Sequence, residues 1–207
     1  MKYPIAPNGI FTTIQGEGGR AGEPMVFVRL AGCSVGCPLC DTDYRVDRRL
    51  TAKEILDEIM RAKEGYTRTV WITGGEPMDH DLLPLLECLE TPPDDPWRLN
   101  VCLATSGHKE VPSTFIHRYR VWLSVSPHRP NEWKQMTGDE LKIVPQLAGH
   151  SLAEFFQVMT ETNHGFRSKW ACPCDGRPET VKECRDFVCQ NATWRMGGQL
   201  HKQWGIV

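Results

Sequence analysis

Residues 25–40 read MVFVRLAGCSVGCPLC: an apolar run broken only by Arg29, then three cysteines spaced by three and two residues among glycines. The first part, 25–30, has the length and composition of a buried strand, and it runs directly into the cysteine loop. Downstream, Thr51 with Glu54 three residues on forms a capping box, and Ile55, Leu56, Ile59 and Met60 make an apolar helical stripe that stops before Gly65. The pattern then repeats. TVWIT at 69–73 predicts a strand broken by Gly74-Gly75, followed by a leucine-rich helix over about 81–90. Short strands are expected at 99–105, 121–126, 141–144, 168–172 and 194–200, and a helix at 179–191, with 91–96 a surface loop. Strands alternating with helices predict an α/β fold with a parallel sheet, here an open or partial (β/α) barrel, with ligands at the carboxyl ends of the strands. The whole of 1–207 is expected to form a single domain.

Composition narrows the function classes. With 24 Lys and Arg against 26 Asp and Glu the net charge is −2, and no basic run offers the footprint of a nucleic-acid or anionic-membrane binder. A small-molecule substrate is the expectation. Residues 1–8 lack the apolar core of a secretory signal and no stretch has the ~18 apolar residues of a membrane span, so a cytoplasmic location is expected.

Nine cysteines is a high count, and in a reducing compartment thiols serve as buried apolar groups, metal ligands or catalysts. Cys33, Cys37 and Cys40 place three soft ligands on one loop, suited to an iron–sulfur cluster or to zinc. Three ligands are one short of a closed site. Either a distant residue completes a structural zinc site, or one position stays open for a substrate or cofactor. Cys172, Cys174, Cys184 and Cys189 raise a second metal site, although a helix at 179–191 sets the last two five apart, off adjoining turns of one face.

The Cys33-x3-Cys37-x2-Cys40 spacing resembles the cluster motif of the radical S-adenosylmethionine enzymes, and Thr73-Gly74-Gly75-Glu76-Pro77 resembles their glycine-rich segment. The resemblance implies a partial (β/α) barrel of that type, with Cys33, Cys37 and Cys40 holding a 4Fe-4S cluster and S-adenosylmethionine chelating the fourth iron. It implies cofactor contacts at Leu39, Cys40, Asp41, Gly74, Gly75, Glu76, Ser126, His128, Cys172 and Asp175. Glycines permit close backbone approach, and carbonyls or Glu76 can accept from an ammonium group.

Further stretches resemble the branch of this superfamily that contracts a pterin ring to a deazapurine: FTTIQGEG at 11–18, FVRL at 27–30, CDT at 40–42, SVSP at 124–127, ELK at 140–142 and His201-Lys202. This implies conversion of 6-carboxy-5,6,7,8-tetrahydropterin to 7-carboxy-7-deazaguanine with loss of ammonia, a lyase of queuosine-type biosynthesis. It also implies Mg2+ held at Thr42, a reductant such as flavodoxin or ferredoxin, and a homodimer. The implied substrate residues are Ile14, Gln15, Gly16, Glu17, Arg29, Thr73, His201 and the carboxylate of Val207. Arg29 has a planar fork suited to a carboxylate, Gln15 can donate and accept at a ring edge, and Thr42 offers a neutral oxygen to a hard cation.

Three positions depart from that branch. Ala104 precedes Thr105-Ser106-Gly107 where a Glu is usual, and Glu17 is the first substitute acceptor to test. His128 follows Ser126-Pro127 where Lys is usual, and Cys172 stands in place of a Gln. The rival readings are a radical enzyme for another small substrate, a glycyl-radical activating enzyme, and a non-catalytic zinc module.

Overall fold

The computed structural model of the chain describes residues 1–92, 95 and 98–206. Among the described residues nine strands form one sheet: β1 (Tyr3–Ile14), β2 (Pro24–Leu30), β3 (Arg48–Leu50), β4 (Thr69–Gly74), β5 (Asn100–Thr105), β6 (Trp122–Val125), β7 (Thr137–Ile143), β8 (Gly165–Ala171) and β9 (Arg195–Met196). Their spatial order is β3-β1-β2-β4-β5-β6-β7-β8-β9. From β2 to β9 every neighbour is parallel, whereas β1 runs antiparallel to both β2 and β3. Parallel strands added one after another without reversal are the winding of a (β/α) barrel, left open here.

The helices that accompany the sheet among the described residues are α1 (Ala52–Ala62), α2 (Leu83–Leu89), α3 (Ser113–His117), α4 (Leu152–Glu161), α5 (Pro178–Gln190) and α6 (Leu200–Trp204). Thr51 caps α1 and Ser151 caps α4, each in a capping box with the glutamate three residues on, so backbone N–H groups left over at the helix starts are satisfied locally. Side chains alternate along the strands and divide the sheet into two faces. Val26, Val28, Leu30, Val70, Ile72, Leu103, Leu123, Leu141 and Ile143 belong to one core that includes Ile55 and Ile59 of α1, Leu85 of α2 and Phe155 of α4. Each such side chain contributes about 1.5–3 kcal/mol by leaving water.

The alternate residues face inward. Met25, Phe27, Trp71 and Cys102 form a second cluster, with Phe11, Ala104 and Trp122 packed against it. Phe11 stacks on Phe27 at 5.5 Å between centroids, and Trp71 lies 5.7 Å from Trp122. These rings fill the floor of the partial barrel.

Sequence and structure part at the ends of the chain. The 12-residue β1 goes unread as a strand because Pro4, Pro7, Asn8 and Gly9 interrupt its alternation, and its pairing with β2 shifts between Ile5 and Ile10, with Asn8 at a φ of 49°. The strand expected over 194–200 is only two residues long, and Leu200 begins α6 instead. Gly197 and Gly198 separate the two. Residues 93, 94 and 96 of the expected loop lie outside the described residues. Among the described residues no helix is long and apolar enough to cross a membrane.

Candidate active site

At the carboxyl ends of the parallel strands lies a cavity of about 670 Å³. Inward alternation supplies much of its wall: Phe27 and Arg29 from β2, Trp71 and Thr73 from β4, Ala104 from β5, Lys142 from β7. The register places Arg29 beside Thr73 on the neighbouring strand.

The loop after β2 carries Cys33, Cys37 and Cys40 to one end of this cavity, all as free thiols. Ser34 secures the loop, its N–H and hydroxyl each donating to the Asp79 carboxylate at 2.8 Å. Lys109 donates to the same carboxylate at 2.7 Å. Burial, with Cys40 and Cys33 nearby, pushes the Cys37 thiol up to about 11, and its sulfur lies 2.7 Å from Nδ1 of His128. Burial, then Lys142 and Arg129, lower His128 to about 4, so the imidazole is neutral.

The glycine-rich turn meets the loop backbone to backbone. The Gly75 N–H donates to the Leu30 carbonyl at 2.8 Å and the Glu76 N–H to the Gly32 carbonyl at 2.9 Å. A Cβ on Gly75 would stand 1.8 Å from that Gly32 oxygen, so only glycine fits. The buried Glu76 carboxylate accepts from the Met78 N–H at 2.9 Å, the Thr105 hydroxyl at 2.7 Å, and the Ser106 N–H and hydroxyl at 2.8 and 2.5 Å. It organises the ends of β4 and β5.

At the opposite end the turn after β1 meets the tail. Gln15 is buried, and its side-chain oxygen accepts from the Glu17 N–H at 3.1 Å, which leaves its NH2 as a donor without a partner among the described residues. Glu17 accepts from Lys142 at 2.9 Å and from the Gln199 amide at 3.1 Å. Burial opposes ionisation of Glu17, yet Lys142, Gln199 and His201 together hold its carboxyl down at about 2. Burial also works against the Lys142 ammonium, and Glu17 with Glu140 reverse this and raise its pKa. Glu140 itself accepts from the Gly19 N–H and, at 2.9 Å, from the Ser124 hydroxyl. Arg29 differs. Its guanidinium lies 4.8 Å from the Phe11 ring centre, and among the described residues no carboxylate pairs with it. Burial lowers its pKa while Asp41 supplies the opposing pull.

A sequence profile of the Radical SAM superfamily matches residues 27–132. The chain is 31% identical over 242 aligned positions to the 7-carboxy-7-deazaguanine synthase of Escherichia coli (strain K12), with both chains covered in full. It is 30% identical over 198 positions to that of Bacteroides thetaiotaomicron, covering 94% of each. The chain belongs to the 7-carboxy-7-deazaguanine synthase family. A crystal structure of QueE from Escherichia coli superposes with a TM-score of 0.72 and 27% identity, over 96% of this chain and 94% of that one. A non-catalytic zinc module is therefore set aside.

The synthase family implies a cluster and S-adenosylmethionine, and the residues present fit both. Three free thiols on one loop suit a cubane that takes one thiolate per corner. The cavity continues from them past Gly74, Gly75 and Ser126 towards Arg29, leaving room beside the thiols.

Of the residues singled out in the sequence, Ile14, Gln15, Gly16, Glu17, Arg29, Thr73 and His201 all line the cavity, as do Leu39, Cys40, Asp41, Thr42, Gly74, Gly75, Glu76, Ser126, His128 and Asp175. Val207 lies outside the described residues. Cys172 does not reach the cavity: it is buried beneath Gly197, where a Cβ would stand 2.5 Å from its sulfur, and Cys174 lines the wall in its stead. The four later cysteines do not group around an ion, and Cys189 is exposed while Cys172, Cys174 and Cys184 are buried. Glu17, considered as a substitute for the absent Glu at 104, has both oxygens engaged by Lys142 and Gln199.

Lys142, Gln199 and Lys202 are cavity residues to which the sequence reading gave no role. Lys142 was within reach of it: Leu141 and Ile143 are apolar, so strand alternation turns Lys142 to the other face. Lys202 ion-pairs with both Asp41 and Asp175 at 2.7 Å, a meeting of segments far apart in sequence.

Proposed function

We propose that the chain carries out the radical ring contraction of 6-carboxy-5,6,7,8-tetrahydropterin to 7-carboxy-7-deazaguanine with loss of ammonia. The observation that carries this reading is Arg29, a half-buried cation without a carboxylate partner among the described residues, in the same cavity as the three thiols. A planar guanidinium binds a carboxylate with two parallel hydrogen bonds, and an unpaired one facing a cavity is preorganised for an acid.

The other groups divide the work. Gln15, its amide turned by the Glu17 N–H, offers NH2 to a ring acceptor, and the remaining lone pairs of Glu17 can take a ring N–H. Phe27, Trp71 and Ala104 give the ring an apolar wall. Cys33, Cys37 and Cys40 would hold the cluster, and the Gly74-Gly75 turn and Ser126 the S-adenosylmethionine beside it. When bound, these cofactors supply the electron and the radical that begins the reaction. Cys40 is exposed and Leu39 is 38% exposed, which supports delivery of that electron by a docking protein such as flavodoxin or ferredoxin.

Mg2+ at Thr42 belongs to the same reading. The flanking carboxylates are engaged, Asp41 by Lys202 and Asp43 by Arg45 at 2.7 Å each, which leaves Thr42 as a neutral oxygen on the cavity wall. A homodimer of single-domain chains, working in the cytoplasm, completes the proposal.

The test is incubation of anaerobically reconstituted, reduced protein with S-adenosylmethionine, 6-carboxytetrahydropterin and Mg2+, with the deazapurine followed by mass. Product that rises with Mg2+ supports the assignment. Cofactor cleavage without deazapurine would retain the radical class and overturn the substrate.

A further inference from the structure

The last helix, α6, closes one side of the cavity without burying a single residue. What holds it is polar. Lys202 reaches Asp41 and Asp175 at 2.7 Å each, the Gln199 amide donates to Glu17 at 3.1 Å, and the Leu200 N–H donates to the Gly16 carbonyl at 2.9 Å. Before it, Gly198 has open space around it, which suits a pivot. The His201 ring rests where a side chain on Gly16 would stand, so α6 must lie down for His201 to face the cavity.

The two acceptors of Lys202 differ in how they are held. Asp175 sits in the short turn after β8. Asp41 immediately follows Cys40 in a stretch without regular structure. We infer that Lys202 is a positioning residue, a latch that couples loading of the cysteine loop to closure of the C-terminal strap over the substrate cavity. Lys202 already reaches both carboxylates with the thiols free, but the Asp41 pair then stands on irregular backbone; ligation of Cys40 would fix the neighbouring Asp41 and so firm the weaker of the two pairs. Because coupling of two equilibria is reciprocal, a strap that cannot latch also loosens the cluster. Both ion pairs are partly exposed, at 37% for Lys202, 55% for Asp41 and 63% for Asp175, so the effect is small and reversible, about two- to fivefold.

This inference rests on the cysteine loop holding a cluster and does not depend on the substrate's identity. The experiment compares hydrogen exchange over residues 199–206 in the metal-free and reconstituted protein, and the rate at which a chelator removes iron, for wild type, Lys202→Met, Lys202→Arg and Asp175→Asn. Expected are protection of 199–206 on reconstitution, its loss in Lys202→Met, and iron release about two- to fivefold faster in that variant. Lys202→Arg should keep both properties, and Asp175→Asn, which leaves the loop and the lysine intact, should move both in the direction of Lys202→Met. Thermal midpoints serve as the control for folding. Tail exchange indifferent to reconstitution, or wild-type iron release from Lys202→Met, overturns the latch. A protein that takes up no cluster overturns the latch and the functional reading together.

Discussion

The floor and the rim of the inner face are built from the same strands two residues apart, yet they behave as different materials. On β2 the step is from Phe27 to Arg29, on β4 from Trp71 to Thr73. Two residues along a strand is about 6.6 Å. Over that distance the surroundings pass from stacked rings to a cavity lined by ionised and hydrogen-bonding groups. The floor is held by burial and the rim by charge pairs and backbone seams, so damage to each should be read out differently.

The sharpest break of this comparison is Cys37→Ala. Iron uptake and product formation should fall to background while the thermal midpoint of the metal-free protein stays close to wild type, because Cys37 belongs to neither apolar cluster. Trp71→Ala should instead lower unfolding stability by about 3–5 kcal/mol, the usual cost of deleting a large buried ring, with reconstituted iron content unchanged. Chemical denaturation and metal analysis check both.

Lys142→Met tests whether a rim residue can also carry stability. It strands the Glu17 carboxylate in a largely dry site, and the expected loss is about 3 kcal/mol, the lower end for breaking a buried pair because Glu17 retains some contact with water. The smallest effect concerns pH. Glu17 is held at about 2, below its unfolded value near 4.5, so its contribution is complete above that unfolded value and is lost as pH falls towards 2. With allowance for partial exposure, about 2–3 kcal/mol should disappear over that window, and Glu17→Gln should flatten the acid limb of a plot of stability against pH.

Strands β2, β4, β5 and β6 and the helices capped by Thr51 and following Gly75 are legible in the sequence because each of these strands is an apolar run ended by glycine or polar residues and each of these helices has a stripe, whereas β3, three residues with two arginines, carries no such signal. β1 is not legible either, since its two prolines and the shift between Ile5 and Ile10 erase the period that signals a strand. At the site, the cysteine triplet and the Thr73–Glu76 segment announce themselves by spacing. Arg29 and Lys142 follow from alternation, which tells inward from outward on any strand. The partners of Lys202 do not follow, because Asp41, Asp175 and Lys202 meet only once the chain has wound around the barrel and returned. Nor does the burial of Cys172, which depends on Gly197 lying across it.

The seam between Gly32 and Gly75 has a consequence for protein engineering. With the Gly75 position pressed against the Gly32 oxygen, and Leu30 and Gly32 accepting from consecutive N–H groups, the cysteine loop and the glycine-rich turn are one tailored joint. Neither is a cassette. A cluster loop transplanted into another barrel without its matching turn would arrive with two carbonyls unclaimed and a neighbour too bulky to approach, so the transferable part is the pair.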